Sequence, residues 1–153
     1  MKSNFAALAL LVTLLFNSNV FAQATAEGPG ASSTTAPALP SSLQDTMKAM
    51  NKALKQIILQ SNDSAQDQSS ALLAEQFTTL VVNAKKFMPD SIAKMPADQQ
   101  AAAAAQYAQL LDQVAADGAE LSKAFLANDN TKVQQLLASL HALATQGHGI
   151  FDN

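Results

Sequence analysis

Two side chains of this protein could bind a metal: the thioether of Met47, in the segment LQDTM, and the imidazole of His148, in the segment GHGIF. Both groups are ligands for transition metals. Few other residues offer such chemistry, because the chain contains no cysteine, no tryptophan and no arginine, and only one tyrosine. Met47 and His148 lie far apart in the chain, so they can hold one metal atom only if the fold brings them together.

Four segments carry apolar residues at the three- and four-residue spacing of amphipathic helices. The predicted helices span 42–60, 64–87, 97–127 and 131–151. Ser41 and Gln44 are predicted to form a capping box at the start of the first helix. Residues 128–131 are predicted to form the turn that caps the last helix. No segment alternates apolar and polar residues as a half-buried strand would.

Each helix has a line of residues that is predicted to face inward. The lines are Leu43, Met47, Met50, Leu54 and Ile57; Leu73, Phe77, Leu80, Ala84 and Phe87; Tyr107, Leu111, Val114, Gly118, Leu121 and Phe125; and Leu137, His141, Ala144, His148 and Phe151. Four such helices with short connections predict an all-α fold, an antiparallel up-down-up-down four-helix bundle. In that topology Met47 and His148 lie at the same end. A thioether and an imidazole on opposite sides form a ligand pair for haem iron.

The N-terminal segment has the features of a secretion signal. Residues 1–22 combine a short positive start, an apolar run and a small-residue cleavage pattern, and they are predicted to be a signal peptide. An uncleaved amphipathic anchor is the alternative. Residues 23–41 are rich in Ala, Ser, Thr, Pro and Gly, which predicts a flexible spacer before the bundle at 42–153. Because an exported chain without cysteine has no disulfides, packing or a bound group has to hold this fold.

Charge and motifs exclude several classes of function. Without Lys2, eight lysines face twelve acidic residues, so the mature chain carries a net charge of −4. That balance argues against binding to nucleic acid or to anionic membranes. The apolar run of the signal is too short for a membrane span. No enzyme signature is present, because the chain has neither a catalytic triad motif nor a Glu-x-x-His pair nor a glycine-rich phosphate loop.

The residue types alone leave other roles open for both candidate ligands. A methionine on a helical line is often core filler, because its flexible side chain fits irregular gaps. A histidine near a helix C-terminus interacts favourably with the helix dipole when it is charged. His141 lies seven residues before His148, too far for both to hold one ion from a single helix, so a structural role is expected for His141.

The segment at 43–57, LQDTMKAMNKALKQI, resembles the first helix of the cytochrome b562 family. The family pattern there is Leu-x-Asp-x-Met-x-x-x-Asn-x-x-Leu-Lys-x-Ile, and its methionine is an axial haem ligand. Met47 matches that methionine, Asn51 matches the asparagine, and Met50 falls at an apolar position. The resemblance therefore implies that Met47, rather than Met50, is the ligand.

Weaker matches extend the resemblance over residues 43–151. His148 follows Leu140 by eight positions, as the histidine ligand follows a leucine in the last helix of the family. Tyr107 begins the segment YAQLLDQV, which is similar to the family's aromatic-x-x-Leu-x-x-Gln-Ile, whose aromatic ring packs near the haem. Pro89 matches a proline in the loop near the pocket.

Three departures from these relatives bear on the haem. The related cytochromes c′ end in Cys-x-x-Cys-His-x-x-Phe; here His148 and Phe151 are present but both cysteines are absent, so the implied group is non-covalent haem b. The family often has arginines near the haem edge, and this chain has none. Ala103 stands where the family can place a second phenylalanine, which predicts a less shielded haem face.

The resemblance implies one haem b per chain, contacted by Met47, Asn51, Tyr107 and His148, with its iron bound by Met47 and His148. The expected function is electron transfer in the periplasm, without enzyme activity, by a monomer or dimer that serves a redox partner not identified by the sequence. Two alternatives remain. One is a five-coordinate haem protein that binds a small gas through His148 alone, and the other is a cofactor-free helical bundle with a structural or interaction role.

Overall fold

The structure, a computed structural model, describes residues 38–151, and they form an all-helical fold without strands. The helices are α1 (Leu43–Gln60), α2 (Asp67–Ala84), the short α3 (Asp90–Ala93), α4 (Ala97–Leu126) and α5 (Asn130–Phe151). The prediction of an all-α bundle is confirmed. The predicted signal peptide, and the spacer as far as residue 37, lie outside the described residues.

Hydrogen bonds between side chains show that consecutive long helices run antiparallel. Asn83, near the end of α2, donates to Thr46, in the first turn of α1, at 3.1 Å. Ser122 of α4 donates to Glu75 of α2 at 3.3 Å. Ser139 of α5 donates to Asp117 of α4 at 2.6 Å. The starts of α1 and α4 therefore lie at one end of the bundle with the ends of α2 and α5.

The N-cap of α1 is one residue later than predicted. Ser42, rather than Ser41, accepts a hydrogen bond from the backbone N–H of Asp45 at 3.1 Å, and its hydroxyl donates to the Asp45 carboxylate at 2.8 Å. Asp45 therefore takes the place predicted for Gln44 in the capping box. At the start of α5, Asp129 accepts from the Lys132 backbone N–H, which confirms a capping turn at 128–131.

The second long helix is shorter at both ends than the predicted span of 64–87. At its start, Asp63 accepts from the Ala65 backbone N–H and begins a single 3₁₀ turn, Ser64–Gln66, ahead of α2. At its end, Pro89 has no backbone N–H and disfavours helical geometry at the residue before it, so α2 ends at Ala84 and a turn follows. Apolar periodicity alone predicts neither the 3₁₀ turn at the start nor the early end of α2.

The core is built mainly from one face of each long helix. The predicted inward line of α4, from Tyr107 to Phe125, is buried throughout. The line predicted for α5 is wrong in its middle: His141, Ala144 and His148 are exposed, although Leu137 is half-buried and Phe151 is buried. The other buried residues of α5 are Val133, Leu136 and Leu140. The reason is that α5 packs against α4 but has no extensive backbone contact with α1, so one flank of α5 stays open.

Gly118 lies where α4 approaches α2 closely. A Cβ atom added there would lie 2.6 Å from the Thr78 hydroxyl and 3.2 Å from the Phe77 ring. The hydroxyl is held in place by a 2.9 Å hydrogen bond to the Ala74 carbonyl. A side chain at position 118 therefore has to push the two helices apart.

We expect Gly118→Ala to destabilise the haem-free protein by about 1–2 kcal/mol, because overpacking outweighs the gain of about 1 kcal/mol in helix propensity. Gly149→Ala is the matched control, since no atom lies within 4 Å of its added Cβ. The control should stabilise by a few tenths of a kcal/mol near the helix end. Urea denaturation measures the free energy of unfolding of both variants. Equal changes in the two variants would contradict the close approach of α4 to α2 at Gly118.

Candidate functional site

One end of the bundle gathers the first turn of α1, the end of α2, α3 and the last turn of α5. The Asn83 side chain donates to the Pro40 carbonyl at 2.9 Å as well as to Thr46. The Ser91 hydroxyl of α3 donates to the Phe151 carbonyl of α5 at 2.6 Å. We call this the α3 end. The structure thus places Met47 and His148 at the same end of the bundle, as the topology predicted.

The structure distinguishes the two methionines at the start of α1. Met50 is 9% exposed and belongs to the core, whereas Met47 is half-buried at the edge of the core. Thr46, the residue before Met47, is fully buried and contacts α2. Successive helical residues project about 100° apart, so Met47 lies beside the face that packs on α2. Met47 therefore lies on a flank of α1, where it packs against the edge of the core.

His148 lies on the side of α5 that is directed toward α1. At the opposite end of the bundle, the Gln134 side chain of α5 donates to the Asn62 side chain, just after α1, at 3.5 Å. His148 follows Gln134 by fourteen residues, which returns to nearly the same side of the helix. The imidazole is exposed rather than inward-facing. Met47 and His148 therefore occupy the flanks of two helices that do not pack closely together.

The other two predicted contact residues differ in burial. Asn51 is exposed, one turn after Met47 on the same flank of α1. Tyr107 is 7% exposed, and its ring meets that of Phe151 edge-on at a centroid distance of 5.2 Å. Phe151 lies one turn after His148. Tyr107 is thus linked by one aromatic contact to the helical turn that carries the histidine.

The Tyr107 hydroxyl is buried and has no hydrogen-bond partner among the described residues. Burial raises the pKa of Tyr107 to about 12, so the phenol keeps its proton at neutral pH. A buried hydroxyl without a partner costs free energy. The Tyr107 hydroxyl is therefore available to donate a hydrogen bond to an acceptor on a bound group.

Two small cavities lie near the α3 end. One, of about 150 Å³, lies between α4 and α5, and its lining includes Gln106, Gln113 and Gln146. The other, of about 180 Å³, lies beside α2 and α3, and its lining includes Phe87, Ile92 and Tyr107. Neither is lined by Met47 or His148, and both are smaller than the roughly 300–1,000 Å³ of typical ligand pockets. The flanks of α1 and α5, rather than these cavities, carry the candidate ligands.

Sequence reasoning missed the residues that hold the Met47 turn in place. Asn83 is 3% exposed and bonds to both Pro40 and Thr46, and Thr46 in turn donates to the Ser42 carbonyl at 2.7 Å. A polar residue among the apolar positions at the end of α2 was the available signal. Its partner is 37 residues earlier in the chain, so the pairing is visible only in the fold.

The donor set fits a haem iron. A thioether and an imidazole are neutral ligands of the kind that haem iron accepts from two helices of a bundle. A helical bundle with a candidate thioether and imidazole at one end has the layout of a class, the haem-binding helical bundles. Among the described residues, no three His, Cys, Asp or Glu side chains form a cluster that could hold a metal ion, and no helix is long and apolar enough to cross a membrane.

Residues 42–151 match the sequence profile of the family described as Cytochrome b562. The chain belongs to the cytochrome b562 family, as its first-helix motif predicted. No curated protein and no solved structure matches it. The family is periplasmic and consists of haem-binding electron-transfer proteins that are generally not enzymes.

Proposed function

We propose that this protein is a periplasmic electron carrier that binds one haem b through Met47 and His148. The observation that carries the proposal is the position of these residues at one end of the bundle, on the flanks of α1 and α5, which lack extensive mutual packing. A flat group can enter between two such helices without opening the core that α2 and α4 share. Membership in the family supports the choice of haem as that group.

When it is bound, the haem supplies one-electron exchange at its iron. Met47 and His148 would both hold the iron, which would leave no site for a substrate or a gas. A methionine paired with a histidine raises the reduction potential. The Asn83–Thr46 hydrogen bond holds the turn of Met47 and would limit the movement of that residue when the haem is bound.

The absence of cysteine makes the attachment non-covalent, which is why we propose haem b. The predicted signal peptide at 1–22 and the family support a periplasmic location. An electron carrier needs a second redox protein, and we propose a periplasmic partner for this one. The net negative charge favours a partner with a basic docking face over nucleic acid or anionic lipid.

The test is a haemin titration of the purified protein without its signal peptide. We expect one equivalent to bind and to give six-coordinate low-spin spectra in both the ferric and the ferrous state. A high-spin ferrous spectrum that shifts with carbon monoxide would instead indicate the five-coordinate gas-binding alternative. Failure to bind, with full helicity and cooperative melting of the haem-free chain, would indicate a cofactor-free bundle.

A further inference from the structure

Tyr107 carries a buried polar atom to which the described part of the fold offers no hydrogen bond. The residue is 7% exposed, and its hydroxyl has no partner among the described residues. The buried Thr46 and Asn83 at the same end of the bundle are both hydrogen-bonded, which makes the Tyr107 hydroxyl an exception there. A phenylalanine would fill the same space without leaving a donor unpaired.

The surroundings of Tyr107 connect it with the candidate ligand turn. Its ring packs edge-on against Phe151, three residues after His148. One turn along α4, Leu110 approaches Gly147, whose added Cβ would lie 3.0 Å from the leucine methyl group. The stretch of α4 from Tyr107 to Leu110 is therefore the surface on which the last turn of α5 rests.

We propose that the Tyr107 hydroxyl donates a hydrogen bond to an acceptor on the bound haem. This inference rests on the proposed function. It assigns to Tyr107 a role distinct from ring packing: the hydroxyl is a positioning group that favours the occupied site over the empty one. The free-energy cost of burying the unpaired hydroxyl is present in the haem-free protein, and the new hydrogen bond offsets that cost when haem binds.

Tyr107→Phe isolates this role, because it removes the hydroxyl and keeps the ring that contacts Phe151. In the haem-free protein we expect the variant to melt at the same temperature as the wild type or higher. In the haem-loaded protein we expect a lower melting temperature and about tenfold weaker haemin binding, since one buried hydrogen bond is lost.

The outcomes separate this inference from the proposed function. If the wild type binds haemin and Tyr107→Phe lowers the stability of both forms equally, the hydroxyl has a partner in the haem-free protein, such as a water in the adjacent cavity, and the inference is wrong. If haemin affinity is unchanged, the inference is also wrong while the proposed function stands. If the wild type does not bind haemin, both are wrong.

Discussion

Replacing His148 by alanine should weaken haemin binding more than about 100-fold, because loss of a ligand exceeds the roughly 10–100-fold cost of losing an outer-shell partner. Met47→Ala should retain binding through His148, but the spectrum should become high-spin and the reduction potential should fall, since the methionine that raises it is gone. Difference spectra during haemin titration and a potentiometric titration measure both effects.

Neither substitution should unfold the haem-free protein, because His148 is exposed and Met47 is half-buried at the edge of the core. The chain provides matched controls for each. His141→Ala removes the other histidine on the same flank of α5, and Met50→Leu alters the neighbouring methionine of α1 while conserving its volume. Both controls should keep the wild-type low-spin spectrum. A low-spin spectrum that persists in Met47→Ala or His148→Ala would refute that residue as a ligand.

Replacing Asp67 by valine should stabilise the haem-free protein by about 2 kcal/mol. Asp67 is the first residue of α2 and is 6% exposed, and both of its carboxylate oxygens are buried without a hydrogen-bond partner among the described residues. The helix dipole offsets only part of that cost, about 0.3–1 kcal/mol. Valine has nearly the same volume and leaves no oxygen to desolvate. Urea denaturation at neutral pH measures the difference.

Asp98→Val is the control for this effect, because Asp98 also lies in the first turn of a long helix but is exposed. There only the favourable interaction with the helix dipole is lost, so we expect a destabilisation of about 0.3–1 kcal/mol. Changes of opposite sign in the free energy of unfolding at the two positions would support burial of the carboxylate as the cause of the stabilisation in Asp67→Val. A clear loss of stability in Asp67→Val would show that the carboxylate has a stabilising partner in solution.

The helical architecture was predictable because the signals for each helix lie in its own stretch of sequence. Apolar spacing located all four long helices, and the capping turn before α5 was evident from its Asn and Asp residues. The errors arose where local chemistry competes with periodicity. Asp63 began a 3₁₀ turn ahead of α2, and Pro89 ended the helical geometry after it. The choice between Ser41 and Ser42 as N-cap depends on backbone geometry that spacing does not record.

The end of the bundle that carries the candidate ligands was predictable from the sequence, but the exposure of His148 was not. The motif around Met47 identified the family, and the order of the helices predicted that Met47 and His148 lie at one end. The spacing of α5 placed His148 on an inward line, and the structure places it on an open flank. A helical line faces inward only if another helix covers it, and α1 does not pack closely on that side.

The kinds of element in this protein follow from the chain itself, because helix periodicity, capping residues and the absence of cysteine are properties of neighbouring residues. The first-helix motif likewise carries the family and, through it, the expectation of haem. Only the tertiary structure decided that Met50 is buried and Met47 lies at the edge. It also showed that Asn83 holds the turn of Met47, and that Asp67 and Tyr107 bury polar atoms without a hydrogen-bond partner in residues 38–151. These properties depend on which helices touch, and such contacts join residues far apart in the chain.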